Sequence, residues 1–227
     1  MTDYYLPITY DSTTKKISLT EDVSKSEWKD LQLEITQLNT LAAELISANT
    51  DIPKAPTPQS YNKHLSALMK KMHDSAVKSM KEKKYPEAIK QFSVGMEMNF
   101  RRPKFESFQM TLQEFIIFLI GRSEAYYLNG DYIDSFNDAD LLCSLAASVP
   151  ESHLRRGLSN FKLGNLIEAK SDFERGLSFN QDHKKLKEEL ENILKEISKQ
   201  NGEDYYIKVV YEDEVEIQEE KEEEKKN

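Results

Sequence analysis

The 227-residue sequence contains one cysteine, Cys143, so no internal disulfide can form and a reducing compartment is expected. Glycine and proline are scarce, seven of each, which disfavours a loop-rich β fold and leaves helix as the default. Long apolar runs are missing. The most apolar stretch, Phe115–Gly121 (FIIFLIG), is far too short to span a bilayer, so any membrane association is expected to run through a partner. The start, MTDYYLPITYD, has acidic residues and no apolar run, so no secretory signal is expected. A broad basic field is absent as well. Of the net charge of −9, residues 203–227 carry eleven of the 40 acidic and four of the 31 basic groups, a net of −7. The remaining 202 residues are therefore near neutral, at −2, and nucleic acid is not an expected partner.

Catalytic and metal constellations are also lacking. His64, His73, His153 and His183 are scattered without metal-ligand spacing, and no Gly-rich phosphate loop or nucleophile elbow occurs. No enzyme, cofactor or metal is expected. What the chain does have is helical periodicity, preceded by a short β signal. Leu6–Tyr10 (LPITY), a polar turn and Lys16–Thr20 (KISLT) alternate like a hairpin. Ser24 or Ser26 is expected to cap a helix starting near Trp28, whose apolar stripe would be Trp28, Leu31, Ile35, Leu38, Ala42 and Leu45. A hairpin and one helix make a small core. Two readings stand: residues 1–48 pack on the rest of the chain, or they dock on a partner. Residues 49–60 hold Pro53, Pro56 and Pro58, and read as a linker.

Beyond the linker lies an internal repeat. Lys83–Gly95, Gly130–Leu142 and Gly164–Gly176 align without gaps. Their columns hold Tyr85, Tyr132 and Leu166; then Ala88, Ser135 and Ala169; then Phe92, Ala139 and Phe173; then Gly95, Leu142 and Gly176. Small residues at Ala76, Ser123 and Gly157 would let the first helix of each pair approach the second. The last two copies are 34 residues apart, the period of the tetratricopeptide (TPR) repeat. The first two are 47 apart, which places 13 extra residues in or around Asn99–Thr111. Residues 182–200 read as a capping helix with Leu186, Leu190, Ile193, Leu194 and Ile197 on one side, ended by Gly202. The fold class is mainly α: a three-repeat TPR solenoid with its cap over 61–202, behind a small α+β docking domain. In the last segment, 203–227, residues 204–218 have strand-like character and the remainder is an acidic solvated tail.

A three-repeat TPR domain lines a groove with the first helix of each pair, where peptide ends bind. Chaperone-binding TPR domains resemble one another in a carboxylate clamp of Lys and Asn, then Asn, then Lys and Arg. On this chain the third-repeat arginine is matched by Arg155, while the lysine before it is replaced by Glu151. The other three positions hold His73, Val77 and Gly121. Lys70, Lys81 and Lys162 fall at groove-lining columns, with Tyr127 and Phe161 beside them. The candidate peptide-binding set is therefore Arg155, His73, Lys70, Lys81, Lys162 and Tyr127, each of the lysines and aromatics also readable as an ordinary surface or packing residue. Arg156 is expected to face the neighbouring helix.

Three segments, PTPQSYNKHLSALMKK, KEKKYPEAIKQFSVGMEMNFRRPKFESFQMTLQEF and RRGLSNFKLGNLIEAKSDFERGL, together with the N-terminal hairpin and Trp28 helix, resemble the TPR subunit of the fungal post-translational Sec translocon. The proline linker and EMNFRRPKFESF are the specific parts. The resemblance implies a peripheral protein on the cytosolic face of the endoplasmic reticulum, paired with a single-span membrane subunit and joined to the Sec channel and its J-domain subunit. It also implies a groove that receives the C-terminal tails of heat-shock 70 chaperones. The family itself is expected to keep mainly the third-repeat arginine. The acidic extension after Gly202 departs from the family pattern. A structural brace without chaperone binding and a free cytosolic co-chaperone are the alternatives, and an acidic tail that occupies the chain's own groove is a further one.

Overall fold

The computed structural model describes residues 6–24, 26–51 and 61–202. Within them lie two strands, β1 (Ile8–Asp11) and β2 (Lys16–Leu19), and eight helices: α1 (Lys29–Ala48), α2 (Lys63–Lys81), α3 (Tyr85–Phe100), α4 (Phe108–Asn129), α5 (Tyr132–Leu145), α6 (Pro150–Leu163), α7 (Leu166–Phe179) and α8 (Lys184–Gln200). The proline-bearing part of the linker, the strand-like segment 204–218 and the acidic tail lie outside the described residues. The chain forms two compact units: residues 1–75 with 93–115, and residues 76–92 with 116–227.

In the first unit β1 and β2 pair antiparallel, Ile8 opposite Leu19 and Tyr10 opposite Ile17. Helix α1 packs on β2. Asn39 fixes the contact, its side chain accepting from the Ile17 amide at 2.9 Å and donating to the Ile17 carbonyl at 2.8 Å. The buried face of α1 therefore differs from the expected stripe. Ile35 is buried, but Leu38 is 45% exposed, because the neighbouring Asn39 takes the place against the strand. The expected serine cap is not formed either. Trp28 is the N-cap residue and lends no side-chain bond, while the Ser24 and Ser26 hydroxyls bond each other at 2.6 Å.

The extra residues between the first two repeats do not form one loop. Part lengthens α3 and α4 to 16 and 22 residues, against 14 in α6 and α7, and a turn spans 101–107. That turn is built around Arg102, which is only 3% exposed. Its guanidinium bonds Glu106 at 2.7 Å, Glu114 at 2.7 and 3.0 Å and the Ser66 hydroxyl at 2.6 Å. It also stacks 3.9 Å above the Tyr61 ring, whose hydroxyl donates to Glu114 at 2.6 Å. A buried arginine is tolerable here because two carboxylates, a hydroxyl and an aromatic face meet it at once.

The second unit stacks α5 on α6, α6 on α7 and α7 on α8. The repeat columns are its interior: Ala88, Phe92, Ser135, Ala139, Ala169 and Phe173 are all buried to 1% exposure or less. Gly157 allows one close approach between helices. A Cβ at that position would lie 2.5 Å from the Phe173 ring, so only hydrogen fits. Ser135, in a column held by alanine in the other two copies, has a specific use. Its hydroxyl donates to the Ser123 carbonyl at 2.9 Å and lies 2.8 Å from the Ser159 hydroxyl, tying α5 to both flanking helices. Helix α8 closes the stack as expected, with Leu186, Leu190 and Ile193 buried among Leu154, Leu158, Phe173 and Leu177.

Candidate functional site

The candidate residues divide between the units. Lys70 and His73 lie on α2 in the first, Lys70 exposed and His73 half-buried with Nδ1 3.7 Å from Asp74. Lys81, Tyr127, Arg155 and Lys162 lie in the second. Lys81 and Lys162 are exposed in the last turns of α2 and α6. Tyr127 and Phe161 are half-buried and pack against the core of α6, α7 and α8. The Tyr127 ring also meets that of Tyr132 at 5.7 Å, and burial holds its hydroxyl above the ordinary tyrosine range.

Arg155 is the most buried of the charged candidates in the second unit. It sits in the second turn of α6, and its side chain is 17% exposed. Nη2 lies 2.7 Å from Glu151 on the same helix and donates at 3.1 Å to Glu124 on α4. Nη2 is thus shared between an ion pair with Glu151 and a hydrogen bond to Glu124. Nε is buried, and no partner meets it among the described residues. Glu151 also faces His183, the N-cap residue of α8, at 3.9 Å. The imidazole Nδ1 accepts from the Leu186 amide at 3.3 Å. Beside it, Lys185 meets Glu189 at 2.7 Å, an ion pair that raises the lysine's proton affinity.

The missing clamp asparagine has a steric explanation. A Cβ at Gly121 would lie 2.5 Å from the Phe92 ring, so no asparagine can occupy that column while Phe92 fills the core. Arg156 behaves as expected, bonding Asp172 at 2.6 Å and Asp140 at 2.8 Å. It belongs to a repeated device: Arg122 bonds Asp138 at 2.7 Å through both Nε and Nη2. Arg122 and Asp138 are spaced as Arg156 and Asp172 are, one repeat period earlier. That pattern was readable from the sequence and is easily overlooked, because the interior columns draw attention first. Glu124 as a partner of Arg155 had no such signal, since no regular spacing links them.

Cys143 is buried, and its thiol is pushed up to about 11 by desolvation. Its sulfur lies 3.7 Å from His153 Nδ1, while His153 Nε2 is 2.8 Å from the Ala147 carbonyl and the ring stacks on Phe179. This is a packed interior pair. Among the described residues no group of three or more His, Cys, Asp or Glu is placed to hold a metal. None of the described helices is long and apolar enough to cross a membrane.

No protein-family model matches the chain. It is 28% identical over 195 residues to translocation protein SEC72 of Saccharomyces cerevisiae, covering 86% of this chain and 97% of that protein. It is 26% identical over 158 residues to the ER protein translocation subcomplex subunit sec67 of Schizosaccharomyces pombe, covering 69% and 82%. Among solved structures, a chain of the S. cerevisiae Sec complex superposes with a TM-score of 0.59 at 24% identity, over 86% of this chain and 99% of that one. The C-terminal TPR-containing domain of a Plasmodium falciparum protein superposes with a TM-score of 0.53 at 16% identity, over 65% of this chain and 100% of that one. The resemblance read from the sequence is thereby borne out, and so is the fold class of TPR repeats with a small N-terminal sheet. The relatives are named as translocation subunits, in agreement with a non-catalytic protein.

Proposed function

We propose that this chain, similar along most of its length to fungal translocation subunits, is a non-catalytic adaptor of a post-translational translocation assembly on the cytosolic face of the endoplasmic reticulum. The observation that carries the reading is the near end-to-end match, over 86% of this chain and 97% of the relative. In this reading the N-terminal domain over 1–48 docks on a single-span membrane subunit. The assembly includes a Sec channel and a J-domain subunit. The TPR domain over 61–202 receives the C-terminal end of a heat-shock 70 chaperone that carries a precursor. Arg155 is the retained clamp residue and the proposed carboxylate contact, with Lys81, Lys162 and Tyr127 as the further candidates of its own unit, and Lys70 and His73 as separate candidates on the first unit.

Two measurements test this. Affinity capture from solubilised membranes is expected to recover a membrane-anchored subunit and channel components; recovery of neither removes the translocon role. Titration with a peptide ending in Glu-Glu-Val-Asp is expected to give affinity no tighter than micromolar, about −8 kcal/mol, and weaker for Arg155→Ala. Equal affinity for the variant removes Arg155 from the site. A second reading, a structural brace that binds no chaperone, is favoured by one observation: Glu151 and Glu124 already neutralise Arg155. A wild-type groove that binds no tail peptide would select it.

A further inference from the structure

We propose that Glu151 and Glu124 act as a built-in carboxylate for Arg155, so that an acidic peptide end enters only by displacing them and this competition sets the affinity of the groove. The inference rests on the peptide-binding reading of Arg155 and adds a determinant to it. A free guanidinium offers a ligand carboxylate two parallel N–H groups along one edge. Here the Nε edge is buried, and Nη2 is engaged by Glu151 at 2.7 Å and by Glu124 at 3.1 Å. A two-point grip through either edge of the guanidinium includes Nη2, so a ligand carboxylate must compete with the glutamates for that nitrogen. One arginine against two carboxylates also leaves the local group at −1, which repels an acidic end.

The glutamates are placed so that they can move. Their side chains are 28% and 40% exposed, so water takes over their solvation on release. The other interhelical arginines of this unit are held differently. Asp172, which holds Arg156, is 6% exposed, and Asp138, which holds Arg122, is 9% exposed. Releasing those would strand a buried carboxylate, whereas Glu151 and Glu124 pass to water, and a pair that solvent reaches contributes only about 0.2–1 kcal/mol, or roughly a 1.4- to 5-fold effect on an equilibrium. Arg155 is thus the arginine whose partners can be exchanged. Glu151 stands where a carboxylate clamp has lysine, so its sign converts an attracting position into a competing one.

The test uses the full chain and a peptide ending in Glu-Glu-Val-Asp with a free terminal carboxylate and an N-terminal fluorophore. Glu151→Gln and Glu124→Gln are each expected to tighten binding about threefold, and the double variant about tenfold. Added salt is expected to weaken the double variant more steeply than wild type, since its local group turns from −1 to +1. Adding Arg155→Ala to the double variant is expected to abolish the gain. Thermal melts of the Gln variants control for folding. Binding by the double variant alone, with none by wild type, also supports the proposal and means that the lock is complete. If wild type binds through Arg155 but the Gln variants bind equally or more weakly, the glutamates are bystanders or positioning residues. The proposal then falls while the recruitment reading stands. If no variant binds, or Arg155→Ala changes nothing in either background, the reading of the site falls and the proposal with it.

Discussion

At position 121 a side chain larger than hydrogen meets the ring of Phe92, itself 1% exposed, so the clamp residue absent from the second repeat was excluded by packing. Gly121→Ala is therefore expected to destabilise the fold by about 1–3 kcal/mol in urea unfolding, even though alanine is the better helix former. A gain in stability would show that Phe92 can shift. Arg102 makes the converse point. Its truncation to alanine strands Glu106, whose side chain is 3% exposed, and should cost about 3–5 kcal/mol. Lys104→Ala, which breaks a 3.8 Å exposed contact with Glu34, should change stability by less than about 1 kcal/mol. Arg155 could be found from its column because it lies at the repeat period. The carboxylates around Arg102 and Glu124 beside Arg155 could not, since these pairings, unlike Arg122–Asp138 and Arg156–Asp172, do not recur at the repeat period.

Among the elements, those with a periodic apolar face were legible. The stripe read for α8 is the face that packs on the core: Leu186, Leu190 and Ile193 are buried, Leu194 and Ile197 partly so, and Glu189 at its edge is paired with Lys185. Leu186, with no exposed surface and packed beside Gly176, should cost about 2–4 kcal/mol when cut to alanine. Ser178→Ala, at an exposed hydroxyl bonded only to its own helix, is the control and should be nearly neutral. Equal unfolding midpoints for the two would deny α8 its capping role. Helix α1 was legible in extent but not in phase. Leu and Asn stand side by side at 38 and 39, and hydrophobicity alone selects the leucine. The edge of a two-stranded hairpin has backbone groups to satisfy, and Asn39 meets both groups of Ile17. The insertion was located correctly as extra length, but its division between two longer helices depends on the buried Arg102 cluster.

For the whole molecule, the ionisable groups with raised proton affinity set a direction for its pH dependence. Burial keeps the Cys143 thiol at about 11, against an ordinary value of 9.0, and raises the Tyr61, Tyr126 and Tyr127 hydroxyls above 10.0. At Tyr61 the bonded Glu114 carboxylate adds to the effect, while Arg102 opposes it. Each of these groups is neutral when protonated, so the folded state holds its proton more firmly than the unfolded chain. By linkage their contribution is complete below the unfolded values, near pH 9 for the thiol and pH 10 for the hydroxyls. It declines as pH rises through those values, since the unfolded chain ionises first. Urea midpoints should therefore fall progressively from about pH 9 upward. Cys143→Ser should flatten the first part of that decline, between about pH 9 and 11, and Tyr61→Phe the later part. The thiol should also resist alkylation in the folded protein at pH 8 and react at the ordinary rate once unfolded. Midpoints that stay level from pH 8 to 11, with ready alkylation of the native chain, would mean that Cys143 reaches water and that the interior between α5 and α6 opens more freely than its packing implies.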